Sequence, residues 1–193
     1  MGKKILKNIK TLNKNKKENF VSQIFSNVSE KYDLMNDIMS FGLHRIWKKK
    51  LIDLMDINDD SIILDLASGS GDLTKIVKKK FDCECIVFDS NLEMIDQAKI
   101  KLKKFKIKYI NGNAEFLPFR RNFFDYVMVS FGIRNFTDID RSLNEVRRIL
   151  KKKGKFFCME FSEINDVVLR KFFSIYSIII PKYGKIFLNN EIA

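Results

Sequence analysis

A chain of 193 residues, 46% hydrophobic and 31% charged, is globular in composition and long enough for one domain with a sizeable core. Thirty-six Lys and Arg against 24 Asp and Glu give a net charge of +12, and no stretch approaches the roughly 18 consecutive apolar residues that cross a bilayer. The three cysteines, Cys83, Cys85 and Cys158, include no CxxC pair. Neither a disulfide framework nor a zinc site is therefore indicated, and a reduced, cytoplasmic setting is expected.

Residues 1–18 are rich in Lys and Asn and read as a basic flexible arm. The start MGKKILKNIKTLNKNKK holds no apolar segment, so no secretory leader is expected. From 19 to 193 the chain reads as a single domain. Residues 19–57 show helical spacing through Phe20, Ile24 and Val28, then Leu34 and Ile38, then Trp47, Leu51 and Leu54, and form a helical cover. A strand follows at 61–67 (SIILDLA), a helix at 72–81, a strand at 83–89 and a helix at 92–105. Short strands are expected at 107–111 and within 122–132. The stretch IDRSLNEVRRILKKKG, 139–154, reads as an amphipathic helix closed by Gly154. A strand at 155–162 and a helix over 165–180 complete the series. Cys83 and Cys85, two residues apart in CECIVF, share one strand face. The lysine runs at 48–50, 78–80 and 151–153 fall near helix ends, where cations suit the helix dipole, and are read as solvated surface.

Strands alternating with helices imply an α/β fold. Short continuous apolar runs fit strands buried on both faces, and right-handed crossovers make this a doubly wound, mostly parallel sheet. Residues 58–162 would form its ligand-binding core, with 163–193 starting a cover over the substrate. In such sheets ligands bind at the carboxyl ends of the strands, near the switch point.

Two features sit at such ends. The turn Ala67-Ser68-Gly69-Ser70-Gly71 follows the first strand, and Asp89 closes the second. A carboxylate there can accept hydrogen bonds from both hydroxyls of a ribose. The dinucleotide fingerprint G-x-G-x-x-G is incomplete, because Thr74 stands at the third glycine, and no P-loop Lys follows. Asn113 and Ala114, after the third strand, fall where an adenine edge can be read. Each feature also has a plain reading, as a tight turn or a polar corner.

With these residues in place, the chain resembles the class I S-adenosylmethionine-dependent methyltransferases, in particular the UbiE-type C-methyltransferases of ubiquinone and menaquinone biosynthesis. The resemblance rests on FSNVSEKYDLMNDIMSFGLHRIWKK (25–49), ILDLASGSGDLT (63–74), NAEFLPF (113–119), FDYVMVSFGIRN (124–135) and MEFS (159–162), with a looser match over 175–186. It implies a Rossmann-like fold with S-adenosylmethionine held by Gly69, Ser70, Gly71, Asp89, Asn113, Ala114 and Ser130. Members of the family carry Gly-Gly-Thr where this chain has Ser68-Gly69-Ser70, and the hydroxyl is kept. They also continue past the segment matching 175–186 into further strands, so with the sequence ending at NNEIA those C-terminal strands are expected to be missing.

The implied reaction moves a methyl group to a ring carbon of a prenylated quinol. Arg134 and Asn135, just past the fourth strand, are the candidate catalytic pair. With a pKa above roughly 12, an arginine stabilises a phenolate rather than acting as a base. Pairing of Arg134 with Asp138 or Asp140 is its alternative. His44, the one histidine, is read as packing and hydrogen-bonding locally. Tyr32 and Asp33 are further candidates. A basic surface suits peripheral contact with an anionic membrane, where a prenylated quinol resides, and an oligomer is compatible with this reading. A nucleic-acid methyltransferase is the alternative class, although neither an Asn/Asp-Pro-Pro-Tyr motif nor a Pro-Cys nucleophile is present, so no nucleic-acid partner is expected. A non-catalytic remnant that keeps only cofactor binding is the third reading.

Overall fold

The structure, a computed structural model, describes Ser40 and residues 42–160. The expected arm at 1–18, the helical cover up to residue 39 and the segment 163–193 lie outside the described residues.

Five strands carry the fold: β1 (Ile62–Leu66), β2 (Glu84–Asp89), β3 (Lys108–Asn111), β4 (Phe124–Ser130) and β5 (Leu150–Met159). Their order is β3-β2-β1-β4-β5, and every pairing is parallel. The order reverses between β1 and β4, which puts the switch point there. Among the described residues, helices α1 (Leu43–Asp53), α2 (Asp72–Lys78), α3 (Leu92–Lys101) and α4 (Ile139–Ile149) make up the rest, with a 3₁₀ turn at Ile133–Asn135. The two faces of β1 bury into separate clusters. Leu64 and Leu66 pack with Phe88, Phe124, Val127 and Ile149. Ile63 packs on the other side with Ile52, Val77, Cys85 and Met128. Burial on both faces explains why β1 lacks a polar–apolar alternation.

Element ends depart from the sequence expectation in instructive ways. The helix expected over 139–154 stops at Ile149, and Leu150 is already extended. Phe124 pairs with Leu150 and Tyr126 with Lys155, so Asp125 faces the whole stretch from Lys151 to Gly154 in a bulge. Lys151 holds that bulge by donating to both Asp125 carboxylate oxygens, at 2.8 and 2.7 Å. Gly154 is needed there because a Cβ would stand 2.9 Å from the Phe124 carbonyl oxygen; it does not stop a helix. In α1 the inward face is His44, Lys48, Leu51 and Ile52, whereas Trp47 and Leu54 are exposed. Cys83 and Cys85 do share a face, with their sulfurs 3.8 Å apart.

Candidate functional site

The carboxyl ends of β1 and β4 meet around one pocket, walled by Lys48, Asp65, Ala67–Ser70, Asp72, Leu73, Ser130 and Phe131. The chain bends sharply to make it. Ala67, Gly69 and Gly71 all have positive φ, at 52°, 55° and 79°. At the end of β4, Phe131 matches them with 56°. Two non-glycine residues in the left-handed region, on adjacent central strands, are strain kept at a ligand site. The loops also pack closely, since a Cβ on Gly132 would come within 2.7 Å of the Ala67 Cβ.

Asp89 ties the second strand end to this loop. One carboxylate oxygen accepts from the Gly69 N–H at 2.8 Å and the other from Asn91 N–H at 2.9 Å. Burial pushes its carboxyl above the usual range, and backbone N–H donors pull it partly back. The lone pairs left on both oxygens suit a vicinal diol. The Asp89 carbonyl accepts from Gly112 N–H and from the Asn111 side chain, which brings the β3 end alongside. Asn113 follows half-buried, and Ala114 is buried in the core.

Ser70 was expected to offer its hydroxyl to a ligand. In the structure that hydroxyl accepts from the Lys101 ammonium at 2.8 Å. Lys101 also pairs with Asp72, and Lys48 holds the other Asp72 oxygen at 2.7 Å. Burial pushes the Asp72 carboxyl up, but the two ammonium groups outweigh it and hold it well below the carboxylate range. Lys48 is therefore no solvated surface lysine. It is buried and lines the pocket, carrying α1 onto the first turn of α2.

Thr74, the residue in place of a third glycine, is fully buried. Its backbone N–H and hydroxyl both donate to one oxygen of Asp65, at 3.1 and 2.7 Å. Burial drives the Asp65 carboxyl up to about 7 against those bonds and the nearby Lys48 charge. Sequence reasoning missed Asp65 and Lys48. The signal was present as a charged residue inside an apolar strand run and a lysine on the inward heptad face.

At the β4 end, the Ser130 hydroxyl lines the pocket, buried and with no hydrogen-bond partner among the described residues. An unsatisfied buried hydroxyl fits a site that a polar ligand completes. Arg134 and Asn135 lie on the 3₁₀ turn that follows. Arg134 is half-exposed and pairs with Glu160 at 3.2 Å. Asp138, an expected alternative partner, instead caps α4 by accepting from Arg141 N–H at 3.0 Å. His44 is buried, and its backbone N–H donates to the Ser40 hydroxyl at 3.3 Å.

The model of the ubiE/COQ5 methyltransferase family matches residues 11–192. The chain belongs to that family. It is 46% identical over 194 residues to the ubiquinone/menaquinone biosynthesis C-methyltransferase UbiE of Rickettsia bellii strain OSU 85-389, an alignment covering 95% of this chain and 78% of the relative. The protein of the same name from Rickettsia prowazekii is 49% identical over 189 residues, 92% of this chain and 75% of the relative. That of Wigglesworthia glossinidia brevipalpis is 45% identical over 184 residues, 92% and 74%. Solved structures share the fold at lower identity. A SAM-dependent methyltransferase from Aquifex aeolicus superposes with a TM-score of 0.53 at 20% identity, covering 62% of this chain and 67% of that one. The [4+2]-cyclase SpnF superposes at 0.64 with 16% identity, over 76% and 62%. One fold thus hosts unlike chemistries, and function has to be argued from the site. As a member of the ubiE/COQ5 family, this chain is a methyltransferase of the Rossmann-like class.

Proposed function

We propose that the protein transfers a methyl group from S-adenosylmethionine to a ring carbon of a prenylated quinol, the step that makes a menaquinol or ubiquinol precursor. The observation that supports it best is the meeting of two motifs at one pocket. The strained loop at Ala67–Gly71 with Asp89 would make a ribose-binding end, and SFGIRN brings Ser130 and Phe131 to the pocket wall, with Arg134 on the turn that follows. Relatives named for quinone biosynthesis favour this reading over the nucleic-acid and remnant alternatives.

S-adenosylmethionine brings an electrophilic methyl on a sulfonium leaving group. Asp89 would hold the ribose hydroxyls, Gly69 and Gly71 admit the ligand close to the backbone, and the Ser130 hydroxyl supplies a hydrogen bond. Asn113 and Ala114 would flank the adenine. Ser70 contributes through its backbone, its hydroxyl being engaged by Lys101. The chain must then align the acceptor carbon and raise its electron density. Arg134 does this by stabilising the ionised ring hydroxyl beside that carbon, with Asn135 hydrogen-bonding the ring oxygen.

The test is to titrate the protein with S-adenosylmethionine and then assay turnover on a demethylmenaquinol and on a 2-methoxy-6-polyprenyl-benzoquinol. Binding with methylation of either acceptor supports the reading; binding without turnover on both contradicts it. No helix of the described residues is long and apolar enough to cross a membrane. Access to a bilayer-resident quinol is proposed to come from the basic surface, at about 1 kcal/mol per lysine against anionic lipid. Co-sedimentation with anionic but not neutral vesicles checks it.

A further inference from the structure

The donor proposed above has two ends, and the groups assigned to it so far serve mainly one. Along the sheet the order is β3, β2, β1, β4. Asn113 and Ala114 follow β3, and Asp89 closes β2, so adenine and ribose take that side. None of these three residues lines the pocket. The pocket opens at β1, one strand spacing from β2, about 4.8 Å, and runs to β4. The part of the donor that reaches it is the arm beyond the sulfur, an amino acid with an ammonium and a carboxylate.

Lys48 is the cation on that wall among the described residues. It stands on the inward face of α1, its side chain 8% exposed, and gives one N–H to Asp72 at 2.7 Å. An ammonium has three such donors, and the other two meet no acceptor among the described residues. A buried charge with open donors is unfavourable until an acceptor completes it. Asp72 already has a second ammonium in Lys101, so the ion pair alone does not call for a lysine on α1. Two neighbours on the wall are open in the same way. The Ser130 hydroxyl has no partner among the described residues. Thr74 places both its bonds on one Asp65 oxygen, and the other oxygen accepts none among the described residues. A cation with open donors, a hydroxyl and a carboxylate around one pocket complement an amino-acid zwitterion.

We propose that Lys48 binds the carboxylate of the donor's amino-acid arm, an assignment that rests on the S-adenosylmethionine reading. The ammonium keeps Asp72 as one acceptor, which fixes it over the first turn of α2, and its open N–H groups donate to the ligand carboxylate. Lys48 is carried by α1, outside the strand-and-loop core that holds ribose and adenine. Donor binding therefore ties α1 to the carboxyl edge of the sheet, and a ligand without the carboxylate leaves that tie unmade.

The experiment is a calorimetric titration with two probes, S-adenosylhomocysteine and the same thioether lacking only its carboxylate. Wild type binds the carboxylated probe about 10–100-fold more tightly, the range of a hydrogen bond to a charged group. Lys48→Gln loses that preference: affinity for S-adenosylhomocysteine falls by about 10–100-fold, while the decarboxylated probe changes by less than about twofold, which also shows the variant folded. Lys48→Arg keeps the charge and recovers part of the preference. Lys101→Met takes the other ammonium from Asp72 and weakens both probes by the same factor. Equal wild-type affinity for the two probes overturns the assignment without any variant. So does an equal loss on both probes in Lys48→Gln, or the same selective loss in Lys101→Met. Lost turnover with S-adenosylhomocysteine affinity intact in Lys48→Gln puts the lysine on the acceptor and also overturns it. Wild type that binds neither probe overturns the donor reading on which the assignment rests.

Discussion

The two ends of the pocket are built differently. At β1 and β2 the charged groups are each held by more than one partner group: Asp65 by the N–H and hydroxyl of Thr74, Asp72 by two lysines, Asp89 by the N–H groups of Gly69 and Asn91. Past the end of β4 the charge is carried by a more exposed side chain. Arg134 is 49% exposed on a three-residue turn with no buried residue, and its partner Glu160 follows the last described strand. A pre-formed polar cradle suits a ligand of fixed shape, because the protein does not reorganise to hold it. A half-exposed arginine suits a partner that brings its own apolar cover. Removing water from the Arg134–Glu160 pair strengthens its field on the acceptor.

This contrast can be broken by substitution. Asp89→Ala leaves two backbone N–H groups and the ribose hydroxyls unmatched, each hydrogen bond to a charged group contributing about 1.5–3 kcal/mol. Isothermal titration should show S-adenosylmethionine affinity falling by about 10³-fold or more. Arg134→Ala should do the reverse: turnover down by about 10²-fold, with donor affinity unchanged in the same titration. Equal losses of binding in both variants would erase the distinction between the two ends.

A smaller effect separates the loop's shape from its chemistry. Gly71 has φ 79°, and a Cβ there would stand 2.7 Å from the Leu102 Cδ1. Gly71→Ala should destabilise the fold by about 1–3 kcal/mol in a urea titration.

A further effect, spread over several units, is in pH. The folded chain keeps a proton on Asp65 up to about 7, whereas the unfolded chain releases it near pH 4. The native state then binds more protons, so this group's contribution to stability falls as pH rises from about 4 to about 7, by up to about 1.4 kcal/mol per unit. Asp89, also raised, adds to the same trend. Asp72, held low by its lysines after burial is overcome, acts in the opposite sense. Its contribution is present above pH 4 and is lost as pH falls below that. Urea titrations across pH 4–7 should show Asp65→Asn flattening the decline.

Much of this was legible in the sequence. The sheet follows from apolar runs punctuated by Gly and by helical spacing, and Asp89 and the Gly loop stand out because strand ends are where chemistry collects. What stayed hidden depended on long-range contact. Nothing local says that Ser70 turns to Lys101, 31 residues on, or that Lys48 leaves the surface for Asp72. Thr74 looked like a missing glycine, yet its hydroxyl is what holds a buried carboxylate. Gly154 looked like a helix stop because a C-terminal glycine after lysines is a common helix ending; its actual role is set by the Phe124 carbonyl across the sheet. Arg134 and Asn135 were found through the SFGIRN resemblance, but the pairing of Arg134 with Glu160, 26 residues on, needed the folded chain.

The most direct test of the account is the destination of the methyl group. Wild-type protein is supplied with S-adenosylmethionine labelled with ¹³C in its methyl and with a reduced demethylmenaquinol or prenylated benzoquinol, and the product is read by carbon NMR. The account predicts label on a ring carbon beside a hydroxyl, lost in Asp89→Ala. Label on oxygen, or no transfer to either acceptor by protein that binds the donor, would contradict it.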